Sequence, residues 1–317
     1  MDIALLHNPK AGSRDATRQR LERALKRAGY RPRYFNVHRL QTHPEAFEHG
    51  EFTVVAGGDG SVRKAALRMI GRGHPLALLP LGTANNIAHS LGVTGTVEEI
   101  IAGWGRGRLC PIDVGVAKGP WGVQHFLEGV GLGLLGRAIP LIDEIDRASS
   151  HVFGSPADKL HRDLCVFIAL GHEAAALKIG LRLNAARPQV GHYILLEVLN
   201  IARAGPQLEL VAAADPSDGY LDVVAVPESQ RARLDRVLRK HLQIDGVRPI
   251  LPRRRARSVR LTLYAGSFRL DDHIVWTAEA EQKPATVEIS LLPGALSLLL
   301  PGPAAPRRAS RRLRPRP

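Results

Sequence analysis

The segment Val54-Val55-Ala56-Gly57-Gly58-Asp59-Gly60-Ser61 runs an apolar strand into a glycine turn and straight into a helix. Glycines let a backbone approach a phosphate closely, and the helix start offers unpaired N–H groups and the positive end of its dipole. A carboxylate in that place would repel phosphate, so Asp59 reads in two ways. Either it holds a divalent cation against the phosphate, or the turn is an ordinary one in which Asp59 or Ser61 caps a helix. One βα unit later, Leu79-Pro80-Leu81-Gly82-Thr83-Ala84-Asn85-Asn86-Ile87-Ala88 repeats the arrangement. The chain also opens on it, because the apolar run Ile3–His7 ends at Asn8-Pro9-Lys10-Ala11-Gly12-Ser13. In a parallel sheet all three turns fall at the carboxyl ends of their strands, the edge where open α/β folds bind ligands. Together they suit a nucleotide cradle. Neither a Walker A pattern nor a Gly-x-Gly-x-x-Gly fingerprint occurs, which excludes the P-loop and dehydrogenase readings.

Hydrophobic periodicity gives the elements that must hold these turns. Ile3–His7, Arg33–Val37, Phe52–Ala56 and Leu76–Leu79 read as short strands. Leu21, Ala24, Leu25 and Ala28 share a helical face ahead of Gly29, Ala65, Ala66, Met69 and Ile70 share another, and a third helix runs to Leu91. Apolar strands alternating with helices predict a parallel sheet covered on both faces. After about Ile112 short strands follow one another between Gly, Pro and Asp turns, at 114–117, 122–128, 177–183, 192–200, 221–226, 259–264, 267–270 and 286–291. With few helices beyond one from Gln230 to Leu242, they predict an antiparallel sandwich or barrel. The expectation is an α/β domain over 1–113, completed by about 294–301, then a β-rich domain over 114–293 and a disordered Arg/Pro tail over 302–317.

Three further segments extend the pattern: Ile112-Asp113-Val114-Gly115, Gly129-Val130-Gly131-Leu132-Gly133 and Asp218-Gly219-Tyr220-Leu221-Asp222-Val223. With Asn8–Gly12, Gly57–Ser61 and Pro80–Asn86 they make six motifs in order. Over about Ile3 to Pro301 the chain thereby resembles the soluble lipid kinases, typified by bacterial diacylglycerol kinases and including sphingosine and ceramide kinases. The resemblance implies a Rossmann-like three-layer α/β domain joined to a mostly antiparallel β-sandwich, the NAD kinase/diacylglycerol kinase-like architecture. It implies transfer of a phosphoryl group from ATP, with Mg2+, to the hydroxyl of a diacylglycerol-like lipid in the cleft between the domains.

Carried onto this sequence, the family's nucleotide-binding positions are Asn8, Pro9, Lys10, Ala11, Gly12, Gly57, Gly58, Asp59, Gly60, Ser61, Thr83 and Asn86. Asp59 would hold the catalytic metal, with Asp113 in the same acidic network. Asp271 and His273 would stand where the family keeps its phosphoryl-transfer base. Asp218 would bind a structural metal with the main-chain carbonyls of Asp215 and Tyr220. A tight Asp-Pro-Ser-Asp-Gly turn can offer a hard cation those oxygens, and it can equally be a plain turn. The chain departs from the family at Arg63-Lys64, where Asn-Glu is usual, at Asn86, where Asp is usual, and at Asp271-Asp272-His273, where Asp-Gly-Glu is usual. Thinned acidic positions keep a catalytically weak or silent nucleotide- and membrane-binding member of the same fold as an alternative. An NAD kinase is a second alternative. It shares the Gly-Gly-Asp-Gly segment, but that family's second Asn-Glu motif is missing here.

Composition narrows the rest. The 317 residues carry 44 Lys+Arg against 30 Asp+Glu, and 44% are hydrophobic, which excludes wholesale disorder. Only Cys110 and Cys165 are present, so there is no disulfide scaffold and a reducing compartment fits. No apolar stretch approaches the roughly 20 residues that span a bilayer, and the start lacks a leader pattern, so the expectation is a soluble, cytoplasmic protein. Part of the +14 charge lies in the tail, where six arginines fall in the last eleven residues. A second cluster, Arg253, Arg254, Arg255, Arg257 and Arg260, predicts peripheral contact with anionic headgroups at the membrane that carries the lipid substrate. Aromatics at 5% and the lack of a recognised module argue against nucleic acid as a partner.

Overall fold

In the computed structural model, residues 1–11, 17–148, 155–243, 251–278 and 283–303 are described. Val, Leu, Ile and Ala fill the early strands, and their backbones pair in parallel: β1 (Asp2–His7), β2 (Arg31–Asn36), β3 (Thr53–Gly57) and β4 (Leu76–Pro80) lie in the order β4-β3-β1-β2. β1, β3 and β4 are buried on both faces, whereas the edge strand β2 alternates. Helices α1 (Arg18–Arg27), α2 (Asp59–Met69), α3 (Asn86–Ser90) and α4 (Val97–Trp104) connect them. The three Gly-bearing turns therefore leave the sheet at one edge.

The second part contains β5 (Arg108–Gly119), β6 (Gly122–Phe126), β7 (Gly129–Gly133), β8 (Leu177–Leu183), β9 (Gln189–Leu199), a small hairpin of β10 (Arg203–Ala204) and β11 (Leu208–Glu209), and β12 (Leu221–Pro227). It ends with β13 (Arg253–Ala256), β14 (Val259–Leu263), β15 (Gly266–Leu270), β16 (His273–Ala278) and β17 (Ala285–Leu300). Pairing among these is antiparallel. All except β10 and β11 join β1–β4 in one sheet.

β17 makes that continuity. Its first half pairs with β14, both halves pair with β5, and Leu298 aligns in parallel with Leu76 of β4. The register shifts between Leu292 and Leu296, where Gly294 takes a left-handed φ of 57° that a side chain would strain. The runs 286–291 and 294–300 thus belong to one 16-residue strand.

The scarcity of helices expected in the second part does not hold. α5 (Leu134–Ala148) and α6 (Pro156–Glu173) cover the sheet together with α7 (Arg231–Gln243). Leu135, Phe167, Leu195 and Leu238 belong to the cluster they bury, separate from the cluster of Phe126, Val198, Leu261 and Val287 on the other face. Pro140 inside α5 hides the helical spacing of Leu134, Leu135, Ala138 and Ile142. Among the described residues, no helix is long and apolar enough to cross a membrane. Gly12, and the tail from residue 304 onward, lie outside the described residues.

Candidate active site

The structure brings the three turns together. Asn8 donates its backbone N–H to Ala56 O at 2.9 Å and its Nδ2 to Ser61 Oγ at 3.1 Å. Its Oδ1 accepts from Lys10 N at 3.0 Å and stands 3.0 Å from His38 Nε2. Gly58 and Gly82 meet back to back, so that a Cβ on Gly82 would lie 2.5 Å from Gly58 Cα. The glycines thus serve loop-on-loop packing as well as open space for a ligand. Asn85, at φ 49°, closes the second turn on itself, accepting from Gly82 N at 2.8 Å and donating to Gly82 O at 2.7 Å. Pro9 and Lys10 are exposed, and Gly60 and Thr83 line the cavity described below.

Asp59 is the first residue of α2, yet it caps a different helix. Its Oδ2 accepts from Asn86 N at 2.9 Å and its Oδ1 from Ile87 N at 3.0 Å, both at the start of α3. Ser61 caps nothing: Gly58 precedes α2 and the helix has no side-chain cap. Burial pushes the Asp59 carboxyl up to about 6 against the pull of those two amides, and the charges of Asp272 and Asp271 push the same way. Glu128, immediately before β7, completes the cluster. Burial, Asp59 and Asp271 hold its carboxyl well above the usual range. Asn86 Nδ2 donates to Glu128 Oε2 at 3.1 Å and to Gly205 O at 2.9 Å, while Asn86 Oδ1 is buried with no hydrogen-bond partner among the described residues.

The β15–β16 turn faces this group from the other side, with a different division of labour from the one the sequence suggested. Asp271 is 3% exposed and works structurally. At φ 50°, its carboxylate accepts from the backbone amides of Leu127, Glu128 and Gly129 and from Arg63 Nε at 2.9 Å. Burial raises its carboxyl, against the pull of Arg63 and those amides. Asp271 and Asp272 both line the cavity, and Asp272, which makes none of these amide bonds, places its Oδ2 only 3.5 Å from where a Cβ on Gly60 would sit. Burial raises Asp272, but the 3.2 Å contact from His273 Nδ1 and the charge of Arg63 outweigh it and hold the group below its ordinary value. His273 stands behind Asp272 and does not line the cavity.

Asp271 is in turn held by an ion pair inside the sheet. Arg269 and Glu197, both without solvent exposure, are bonded to each other, and Arg269 Nη1 donates to Asp271 O. Between them in register lies Gly131 of β7. A Cβ there would fall 2.3 Å from Glu197 Cδ, so the glycine lets the pair cross over the middle strand.

Asp113 does not join the acidic cluster around Asp59. Its Oδ2 accepts from Gly219 N at 2.8 Å and its Oδ1 from Gly294 N at 2.7 Å, which fixes the 215–220 turn against the bulge of β17. It does not line the cavity. Asp215, Asp218 and Tyr220 also lie there, away from Asp59.

The cavity at the Asp59 cluster has a volume of about 430 Å³. One wall is polar, built from Asp59, Thr83, Asn86, Glu128, Asp271 and Asp272. α5 and α6 line the cavity with both kinds of side chain, Ile139, Ile142, Leu160 and Phe167 beside Asp143, Asp146, Lys159 and Asp163, and Pro206 adds to the apolar part. At the rim Asp146 is paired with Lys159 and, at 2.7 Å, with Arg162. Gln207 donates to Ala84 O at 2.8 Å and locks the β10–β11 hairpin over the second turn.

Residues 2–117 match the model of the diacylglycerol kinase catalytic domain. Over that stretch the chain resembles the diacylglycerol kinases. It is 24% identical over 261 residues to a diacylglycerol kinase of Mycobacterium tuberculosis, covering 78% of this chain and 76% of that one. A solved diacylglycerol kinase from Bacillus anthracis shares its fold, at a TM-score of 0.64 and 17% identity over 94% of this chain and 96% of that one. The fold also extends to a yeast NADH kinase, with a TM-score of 0.54 at 8% identity over 96% of this chain and 84% of that one.

Within that diacylglycerol kinase-like frame the chain's departures have local partners. At Asn86 the amide donates to Glu128, where a second carboxylate would repel. At Arg63 the side chain carries the counter-charge of Asp271. Glu128 and Asp272 went unassigned in the sequence, Glu128 because it precedes a glycine motif that draws the eye, Asp272 because it sits at the family's Gly position.

Proposed function

We propose that the chain is an ATP-dependent lipid kinase acting on the hydroxyl of a diacylglycerol-like lipid. One observation carries the reading: the Gly57–Ser61 and Pro80–Asn86 turns and a cluster of carboxylates line one cavity, into which α5 and α6 also bring apolar side chains. The turns present backbone N–H groups suited to the triphosphate, and Ile139, Ile142, Leu160 and Phe167 suit an acyl chain. In transfer, the lipid oxygen bonds to the γ-phosphorus, the bond from that phosphorus to the bridging β–γ oxygen breaks, and ADP leaves. The hydroxyl proton passes to Asp272, whose carboxylate stays ionised beside His273.

The donor set fits Mg2+. Asp59, Asp272 and the unpartnered Asn86 Oδ1 are hard oxygens facing one space. Among the described residues no three acidic, His or Cys side chains form a ready-made metal site. When bound, Mg2+ would neutralise charge on the transferring phosphate. Asp59 and Asn86 would orient that side of the cavity.

A lipid acceptor entails contact with a membrane surface. The arginines at 253–260 offer less charge for it than their number implies, because Arg253, Arg255 and Arg260 are each paired with a carboxylate.

The test is to incubate the purified chain with radiolabelled ATP, Mg2+, mixed vesicles and, separately, NAD. Label in a phosphorylated lipid is the expected result. Label only in NADP, or ATP consumption no greater than in Asp59→Asn, overturns the reading.

A further inference from the structure

The family resemblance implies a structural metal at the Asp215–Tyr220 turn, and the residues present do not fit one. Asp218, the carboxylate that would bind it, is already engaged at both oxygens. Its Oδ1 accepts from Tyr220 N at 2.9 Å, and its Oδ2 is bonded to Arg255 Nη2. The main-chain oxygen of Asp215 accepts from Asp218 N at 3.3 Å, and the Asp215 side chain accepts from Ser217 N at 2.9 Å and Ser217 Oγ at 2.6 Å. Arg255 is moreover stacked, its Cζ 4.3 Å from the centre of the Tyr220 ring, with Arg257 at 5.1 Å from the same ring.

The ladder explains how the guanidinium gets there. β13 pairs antiparallel with β12, placing Arg255 opposite Asp222 and Arg253 opposite Val224. Arg253 and Arg255, two residues apart, share one face of their strand. Arg253 takes the Asp222 carboxylate and Arg255 reaches past it to Asp218. Each aspartate therefore has an arginine of its own.

We propose that Arg255 is the built-in cation of this turn, so that the β-rich part of the chain is held without the divalent metal its relatives' motif implies. A guanidinium stays charged at every accessible pH, matches a carboxylate with a planar fork and cannot be extracted by a chelator. Asp113 completes the arrangement from behind by holding Gly219 and Gly294, and Asp113 N donates to Pro216 O at 2.7 Å.

The test reads thermal unfolding and metal content of the full chain, with no activity measurement, so it stands or falls apart from the kinase reading. After dialysis the wild-type chain is expected to hold no stoichiometric Mg, Ca or Mn by elemental analysis, and its Tm is expected not to move with EDTA. Arg255→Ala is expected to lower Tm by several degrees and to make Tm respond to added Mg2+ or Ca2+, a response lost in Arg255→Ala/Asp218→Asn. One equivalent of divalent metal in the wild type that Asp218→Asn removes, or a wild-type Tm that falls in EDTA, overturns the proposal. So does an Arg255→Ala chain with unchanged Tm. Elemental analysis of the wild type decides the matter even where a variant fails to fold.

Discussion

Arg63 of α2 donates its Nε to Oδ2 of Asp271 at 2.9 Å across 208 positions of sequence, joining the first turns of the nucleotide-type helix to the β15–β16 turn. The Asp271 side chain is 2% exposed and that of Arg63 19%, so the pair is little screened by water. Asp271→Ala removes the acceptor of three backbone amides as well as the partner of a part-buried guanidinium. We expect it to cost about 3–5 kcal/mol in urea unfolding. Arg63→Ala should cost less, because the three amides still serve Asp271. Equal stability of Asp271→Ala and wild type would show that the turn is held by something else.

Asp59→Asn tests the two roles of that carboxylate together. Asn keeps one amide bond to α3 and loses the charge, so the fold should persist while phosphoryl transfer falls by about 100-fold or more. The folded Asp59 titrates at about 6, above its unfolded value. The folded state therefore holds the extra proton between roughly pH 4 and 6. Its contribution to stability declines as pH rises through that window and is flat above it. Glu128 and Asp271 are shifted in the same direction. In Asp59→Asn the decline of Tm from pH 4 to pH 6 should be shallower than in wild type.

Asp272 is the proton acceptor in the proposed transfer, and His273 tunes it. Asp272→Asn should lower kcat by about 10²–10⁴ with little change in KM for ATP. His273→Ala removes a group that keeps the Asp272 carboxyl low. The acidic limb of the kcat profile should then move to higher pH. A limb that stays in place would assign it to another group.

Gly131→Ala is predicted to be among the most damaging one-carbon changes in the chain. The new Cβ would lie 2.3 Å from Glu197 Cδ and force apart a fully buried pair with Arg269. Loss of about 3 kcal/mol or more in chemical denaturation is expected, with the kinase activity falling alongside because Arg269 also holds the Asp271 carbonyl.

The convergence of the glycine turns at one sheet edge was legible in the chain because its information is local. A strand, a glycine turn and a helix start are adjacent in sequence, and three repeats of that unit in a parallel sheet can only end on one side. Gly57–Ser61, Pro80–Asn86 and Asn8–Ala11 accordingly stand together, as their types suggested. Charge assignments fared differently, since a carboxylate's role depends on what faces it, and those partners are remote. Asp113 was expected beside Asp59 and instead holds Gly219 and Gly294. Asp271 was expected to react; it lines the cavity, but its carboxylate is taken up by three amides and Arg63, a tie that Asp272 beside it does not have. The arginines of 253–260 counted as free charge until the β12–β13 ladder set two of them against Asp222 and Asp218. Sequence fixes which side chains exist and which turns they lie in, because backbone geometry is a short-range property. Pairing, burial and the resulting proton affinities arise only when strands distant in the chain come within a few ångströms, where water no longer screens one charge from another.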